Sequence, residues 1–317
     1  YDPGVLNGWG KRSYNVEWTV AAQHQLSNRV AVNGGYYRRS FGNQTFTDDT
    51  RFDASSYDYF CVNTPIDPDL PGGGGYEVCG VPDLKPSEFA RGLPADNLIR
   101  FSDDFGGETS IYQGFDVNLE GRFPNGAFLK GGIAATSRSF NNCNLAQAGI
   151  EYGNFAEYPD SRACDRKYPY RPDLKISGSY PLPFGVRFSG TYQFSRGVQA
   201  GGAGGTSIAA LWPVTSVVAR PSLGRNLTGV AFRLVPIIRD GAWYGDHNLS
   251  QLDLRFGKRF DMGRYRLRVD FDLYNVFNSS WPFSVNPVYS TGATSAWLRP
   301  TNVLQHRFFK LGGQFSF

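Results

Sequence analysis

Between positions 111 and 123, apolar Ile111, Phe115, Val117, Leu119 and Phe123 alternate with Tyr112, Asp116, Asn118, Glu120 and Arg122. A period of two puts successive side chains on opposite faces of extended backbone, so this segment predicts a strand with its charges on one side. A Pro124-Asn125-Gly126 turn follows, and 127–138 alternates again, with Leu129 and Ile133 opposed to Lys130, Thr136 and Arg138. The two together read as a hairpin with a short turn. The design recurs at 14–25 and 30–41 through Ser27-Asn28, where Tyr14, Val16, Trp18 and Val20 oppose Asn15, Glu17 and Thr19. It recurs at 174–180 and 186–194 around Pro181-Leu182-Pro183-Phe184-Gly185, and at 252–260 and 265–277 around Asp261-Met262-Gly263. In the last copy Leu267, Val269, Phe271 and Leu273 face away from Arg266, Arg268, Asp270 and Asp272.

Four hairpins, near 14–41, 111–138, 174–194 and 252–277, are thus separated by long segments 48–108, 139–171, 197–247 and 279–299, rich in Gly, Pro, Asp and Ser. Short turns at one end and long loops at the other are the asymmetry of outer-membrane barrels, with turns periplasmic and loops extracellular. The expected fold is all-β, an antiparallel transmembrane β-barrel region. Segment 197–247 has room for a small hairpin of its own near 214–218 and 230–237. Mean hydropathy is −0.36 and no apolar run approaches the roughly 20 residues of a spanning helix. Alternating barrel strands are compatible with that value, because only every second residue meets lipid.

A last strand, expected over 303–317, closes on Phe309, Leu311, Gly313, Phe315 and Phe317 at alternate positions. Its final residues, Lys310-Leu311-Gly312-Gly313-Gln314-Phe315-Ser316-Phe317, resemble the C-terminal signal read by the barrel assembly machinery, with Lys310, Gly312, Phe315 and Phe317 at its defining positions. Two strands per hairpin plus this one make nine, whereas bacterial single-chain barrels close with an even number. The N-terminus, Tyr1-Asp2-Pro3-Gly4, shows no leader pattern, so either a signal has been removed or the chain begins inside a longer protein. Parity favours the second: a C-terminal part of a larger barrel, with earlier strands upstream.

Several stretches carry a family resemblance: Leu6-Asn7-Gly8-Trp9-Gly10-Lys11-Arg12, Tyr36-Tyr37-Arg38-Arg39-Ser40-Phe41-Gly42-Asn43, Leu70-Pro71-Gly72-Gly73-Gly74-Gly75-Tyr76, Pro221-Ser222-Leu223-Gly224-Arg225 and Gln251-Leu252-Asp253-Leu254-Arg255-Phe256-Gly257-Lys258. With Asp272-Leu273-Tyr274-Asn275-Val276-Phe277-Asn278, an Asn-aromatic-Asn pattern on the penultimate strand, the chain resembles the C-terminal barrel of TonB-dependent receptors. The resemblance is strongest to Oar-like receptors, which carry a carboxypeptidase-regulatory-like domain. It implies a barrel of about twenty-two strands, an upstream plug, and uptake driven by an inner-membrane energy-coupling complex. No plug and no coupling box lie in this sequence, so transport belongs to the complete receptor. Alternatives are a barrel that anchors partner-binding loops without transport and, third, a passive porin.

Chemistry-bearing residues are sparse. Cys61 and Cys79, and Cys143 and Cys164, form two close pairs in loop segments, and nearest-neighbour disulfides in an oxidising space are the natural reading. Four cysteines allow three connectivities, and a metal site is the rival, without finger spacing or a loop histidine. Asp48, Asp49 and Asp53, with Asp58, Asp67, Asp69, Asp103 and Asp104, supply hard oxygen donors for calcium without any regular ligand spacing. His24, His247 and His306 are isolated, so neither an enzyme nor a cofactor is expected. The glycine runs 72–75 and 201–205 lack the Gly-Lys-Ser/Thr of a phosphate loop and read as loop tips.

Glu17, Asp116, Glu120, Arg122, Lys130, Arg187, Asp253, Arg255, Arg268, Asp270 and Asp272 mix both signs on the expected interior, to pair with one another or with a plug. Tyr14, Trp18, Phe123, Tyr180, Tyr265, Phe277 and Phe317 near strand ends fit interfacial girdles against outer-membrane lipid. The net charge of +4 is spread along the chain and indicates no nucleic-acid partner. The ligand, expected outside the cell, is not legible.

Overall fold

The computed structural model describes residues 1–148, 164–197, 199–200, 207–208, 210–238, 248–286, 288–290 and 295–317. The glycine run 201–205 and His247 lie outside them. The alternating segments form one nine-stranded antiparallel sheet in which each strand pairs with the next in sequence. Its strands are β1 (Tyr14–Ser27), β2 (Val30–Gly42), β3 (Thr109–Arg122), β4 (Phe128–Asn141), β5 (Asp165–Leu182), β6 (Val186–Ser195), β7 (Leu249–Met262), β8 (Tyr265–Tyr274) and β9 (Phe308–Ser316). The all-β expectation, including the strand count, is met. β1 and β9 form the two edges and do not pair with each other.

Tight turns join β1 to β2, β3 to β4, β5 to β6 and β7 to β8. At the second, Asn125 Oδ1 accepts the Ala127 N–H at 3.1 Å and Phe123 N–H donates to the Ala127 carbonyl at 2.9 Å. Gly126 sits there at φ 81 with open space around a would-be Cβ, so the requirement for glycine is backbone conformation rather than room.

Two boundaries differ from the sequence pattern. β4 and β5 run further into the segment expected as loop 139–171, because Ser139, Phe140 and Asn141 pair with Lys167, Arg166 and Asp165 beyond a register shift after Thr136. β9 begins at Phe308 rather than at 303, since Pro300–Val303 pairs with Pro282–Val285 instead. The Asn-aromatic-Asn pattern explains how the chain reaches β9. Asn275 and Asn278 take left-handed φ of 50 and 53, a conformation that asparagine tolerates well. The Asn275 amide donates to the carbonyls of Ser279 and Gln305, both at 2.9 Å, and Asn278 Oδ1 accepts the Arg307 N–H at 2.9 Å. Both asparagines therefore clamp the exit of β8 to the entry of β9.

Register sorts most side chains by polarity, although Arg38, Gln113, Lys258 and His24 stand on the apolar face. Across the sheet, Val20, Tyr36, Phe115, Ala135 and, in the middle strands, Ile133, Leu174, Phe194 and Ile176, Tyr192, Leu252 share one face. Leu254, Leu273, Phe309 and Phe256, Phe271, Leu311 continue it to β9. Glu17, Asp116, Glu120, Lys130, Arg187, Asp253, Arg255, Arg268, Asp270 and Asp272 occupy the other face.

The main hydrophobic core lies elsewhere, in the loops. Phe60, Val62, Val78 and Val81 come from the hairpin Tyr57–Asn63 and Glu77–Leu84, and Val214 and Val235 from the hairpin Leu211–Thr215 and Phe232–Pro236. Ala219, from the helix Ser216–Leu223, and Tyr289 with Trp297, from the last loop, complete it. The small hairpin expected within 197–247 is present, but residues 216–218 open a helix whose apolar face the core covers and which ends at Gly224 in a left-handed cap. Three loops far apart in sequence thus make one packed cap. Leu70, anchored in this core, precedes the short turn Pro71–Gly73, and all four glycines of the run 72–75 take positive φ.

Polar ties reinforce the cap. Asp83 is fully buried, paired with Arg225 and with Arg233 Nη2 at 3.3 Å, and accepts the Thr228 N–H at 3.1 Å. Arg225 also donates to Asp58 Oδ2 at 2.7 Å, so one guanidinium clamps both strands of the first hairpin to the second loop. Tyr289 donates to Asp67 Oδ2 at 2.7 Å and ties in the last loop. Asp83→Ala leaves two guanidinium groups without their buried counter-charge and is expected to cost about 3–5 kcal/mol of cap stability, with Asp83→Asn milder. Hydrogen exchange over 57–84 checks this. Unchanged protection in Asp83→Ala would show that the hub is dispensable.

Candidate functional site

On β3, β7 and β8, the charges of the polar face meet partners nearby. Arg255 Nη2 donates to Asp272 Oδ2 at 2.8 Å across the β7–β8 ladder, and Arg268 Nε to Asp270 Oδ1 at 2.9 Å. Arg122 pairs with Glu120 at 2.8 Å, and Asp253 accepts the Asn275 N–H at 2.8 Å. Arg255 and Asp272 stand directly opposite each other in register, whereas Arg268 with Asp270 and Arg122 with Glu120 are i, i+2 neighbours on one face of a single strand.

The loop end of β1–β5 carries a different row. Glu17, Arg39, Tyr112, Arg138 and Tyr168 lie directly opposite one another in succession from β1 to β5. The adjoining row is Tyr37, Gly114, Thr136 and Arg171. Gly114 has a structural reason: a Cβ there would stand 2.5 Å from the Tyr37 hydroxyl, which lies over it. Between the rows opens a concavity of about 580 Å³, lined among the described residues by Arg39, Arg138 and Arg171 together with Tyr112 and Tyr168. Arg39 Nε donates to Glu17 Oε2 at 2.6 Å, and Arg171 Nη2 to Ser195 Oγ at 3.0 Å. Arg138 is exposed and makes no ion pair or hydrogen bond among the described residues.

Glu108 sits two residues beyond Ser110, which lines the same concavity. Burial pushes its carboxyl up to about 7, against the pull of the Arg166 charge and with a further push from Asp103. Its Oε2 is buried without a hydrogen-bond partner among the described residues, which fits a proton resident there.

The other sequence candidates resolve individually. Asp48 is held by Arg100 Nη1 at 3.0 Å, and Asp49 by Arg51 Nε at 2.8 Å, a hydrogen bond that keeps the Asp49 carboxyl below its usual range. Asp53 caps the short helix Ala54–Ser56, and hydrogen bonds from Ser55 hold its carboxyl low. The three do not converge on a common point for calcium. Cys61 bonds to Cys79 and Cys143 to Cys164. The trio Cys61, Glu77 and Cys79 meets in space, but both thiols are spent in that disulfide. Among the assembly-signal positions, Lys310 and Gly312 lie opposite Asp272 and Asp270 on the polar face, while Phe315 joins the apolar face. His24 lies on the apolar face of β1, opposite Val32.

No family model matches the chain, and no curated protein matches it. Among solved structures it is similar to the outer membrane transporter YddB of Escherichia coli, with 12% identity, 95% of this chain and 32% of that chain covered, and a TM-score of 0.41. It is also similar to the ferric-catecholate import receptor Fiu of E. coli K12, with 10% identity, 96% and 42% coverage and a TM-score of 0.27. A Pseudomonas aeruginosa FadL homologue follows at 9% identity, 96% and 66% coverage and a TM-score of 0.24. The chain thus spans about a third of the YddB chain and under half of Fiu. With every score below 0.5, the functional assignment rests on the chain's own geometry.

The arginine cluster was not visible in sequence, because Arg39, Arg138 and Arg171 stand on three different strands and only the register between hairpins brings them to neighbouring rows. Alternation placed Arg138 on the polar side, whereas Arg171 fell in the segment expected as loop 139–171 and Arg39 was assigned to neither face. A carboxyl whose pKa is raised by folding stabilises the folded state fully below its unfolded value, near 4.5 for Glu108, and loses that contribution as pH rises through about 7. Glu108→Gln is therefore expected to be the more stable form above that range, with the advantage shrinking on acidification. Melting temperatures of both proteins across this range check it, and parallel curves would exclude a buried proton at Glu108.

Proposed function

We propose that this chain is part of the wall and outer loops of a bacterial outer-membrane uptake receptor of the TonB-dependent, Oar-like type. The observation that carries the reading is the uncovered apolar face. Nine strands present a face dominated by Val, Leu, Ile, Phe and Tyr side chains, with Arg38, Gln113, His24 and Lys258 among its polar members, and Val20 and Leu311 on it are 66% and 67% exposed. The accessible surface is 18434 Å², against about 13,000 Å² for a compact monomer of this length. Water penalises such a surface at roughly 25 cal/mol per Å², whereas hydrocarbon accommodates it without cost.

The dimensions agree. On β5, Tyr170 and Tyr180 both lie on the apolar face, ten residues apart. At about 3.4 Å per residue and a tilt near 45°, they are separated by roughly 24 Å along the membrane normal, close to the height of a barrel's apolar band between its aromatic girdles. In this reading the tight turns face the periplasm with the C-terminus, the disulfide-braced loops face the exterior, and outer-membrane lipid covers the apolar side. Strands from the same protein complete the ladder at the open edges of β1 and β9, since unpaired N–H and C=O groups are not tolerated in hydrocarbon. A plug and an inner-membrane energy-coupling complex act through the upstream part, and the barrel assembly machinery recognises β9.

A second reading, in which the barrel anchors loops that bind a partner without transport, draws support from the cap, whose private core makes it a preformed binding module.

Phe271→Arg, at the middle of β8 on the apolar face, is expected to cost roughly 2–4 kcal/mol, whereas Asp270→Asn on the opposite face costs much less. Urea titration of the native protein folded into lipid vesicles measures both. Equal, small effects would remove the lipid-facing assignment.

A further inference from the structure

On β2 to β5, charged side chains enter the apolar face only toward its loop end, and Arg38 is the innermost of them. Trp18, Arg38, Gln113 and Ser137 lie directly opposite one another in succession from β1 to β4. Tyr170 stands beside Ser137, within the register shift of β5. One row nearer the turns, the face is Val20, Tyr36, Phe115, Ala135 and Pro172. One row nearer the loops it carries Ser40, Ser139 and Lys167.

Arg38 is held in place. Its Nη1 donates to Gln113 Oε1 at 3.1 Å, and the Tyr36 hydroxyl donates to the same oxygen at 3.1 Å. Trp18 lies against Tyr36 with ring centroids 5.4 Å apart, and Tyr170 against Phe115 at 5.7 Å, so aromatic rings bound the row at both ends. A glutamine oxygen orients a guanidinium without neutralising it, and Arg38 makes no ion pair among the described residues. Asp165, further toward the loops on this face, is paired with Lys167 at 2.9 Å.

The bond to Gln113 uses Nη1 and leaves the Nε and Nη2 donors, whose parallel N–H groups form the edge that grips two oxygens of one anion. Depth selects the anion. Arg38 is level with Tyr170, the loop-side aromatic of the apolar band, where a cation leaves hydrocarbon and meets headgroups. A lipid phosphate arrives at that depth joined to acyl chains that cover Tyr36 and Phe115 in the row below, which a free anion cannot do.

We propose that Arg38, oriented by Gln113 and bounded by Trp18 and Tyr170, binds the phosphate of an outer-leaflet lipid. The inference rests on the membrane-wall reading for which face meets lipid. Its test separates the two. The native full-length protein in detergent micelles is titrated with phosphatidic acid and with diacylglycerol of the same acyl chains, which differ only in the phosphate, and retained lipid is counted by native mass spectrometry. Phosphatidic acid is expected to be retained saturably, diacylglycerol and inorganic phosphate not.

Arg38→Gln is expected to weaken phosphatidic acid binding about tenfold, the loss of a charge-assisted pair of hydrogen bonds. Arg38→Lys, which keeps the charge but not the fork, should fall between. Gln113→Glu, which supplies a carboxylate beside Arg38, should also weaken it by neutralising the guanidinium. Arg122→Gln, on the polar face at the turn end, should leave it unchanged. Retained heat-modifiable mobility on a gel shows that each variant is folded. Equal retention of both lipids by folded protein, or retention indifferent to Arg38→Gln, overturns the inference and leaves the membrane-wall assignment standing. Inorganic phosphate bound as tightly as phosphatidic acid overturns the lipid as its ligand, and a pair of copies that Arg38→Gln separates overturns it in favour of a protein contact. A protein that stays dissolved without detergent overturns the wall assignment itself.

Discussion

The structure depends on one constraint: a strand satisfies its backbone hydrogen bonds sideways and sends its side chains alternately up and down. A sheet built this way can present one entire face to hydrocarbon and the other to water without burying a single unpaired amide between its outer strands. Everything else in the chain follows from holding that register across nine strands. The tight turns keep neighbouring strands in step, and the paired asparagines after β8 return the chain from the last loop to β9 without a slip. A slip of one residue would carry Arg268, Asp270 and Asp272 to the apolar side.

Because the sheet has no interior, the hydrophobic core has moved into the loops. Phe60, Val81, Val214, Val235 and Tyr289 are almost wholly buried, whereas the large apolar residues of the strands stay exposed. This inverts the arrangement of a water-soluble β-domain, in which two sheet faces cover each other and loops remain solvated. The loops pay for their order with hydrophobic burial and with the Asp83–Arg225 hub, and the disulfides Cys61–Cys79 and Cys143–Cys164 staple two of them further. Loops so fixed can present a defined outer surface, which suits either capture of an incoming ligand or engagement of a partner.

The polar face differs from strand to strand. On β7 and β8, arginines and aspartates meet in direct cross-strand or same-strand pairs, and their fields close locally. At the loop end of β2, β4 and β5, three arginines gather with tyrosines around one concavity, and burial raises the carboxyl of nearby Glu108 to about 7. Charge that closes on itself holds neighbouring strands in register without drawing counter-charge from outside.

The sequence by itself determined the all-β class, the nine strands, the four tight turns, and which side chains share a face, because a period of two is a local property of consecutive residues. It also pointed to the close cysteine pairs as partners, since proximity along the chain limits how far apart they can stand. Only the tertiary structure decided that loops 150 residues apart form one core, that residues 216–223 are helical within it, and that Arg39, Arg138 and Arg171 line one concavity. Those facts depend on contacts between distant segments, and alternation within a strand carries no information about which strand, in which register, will stand beside it.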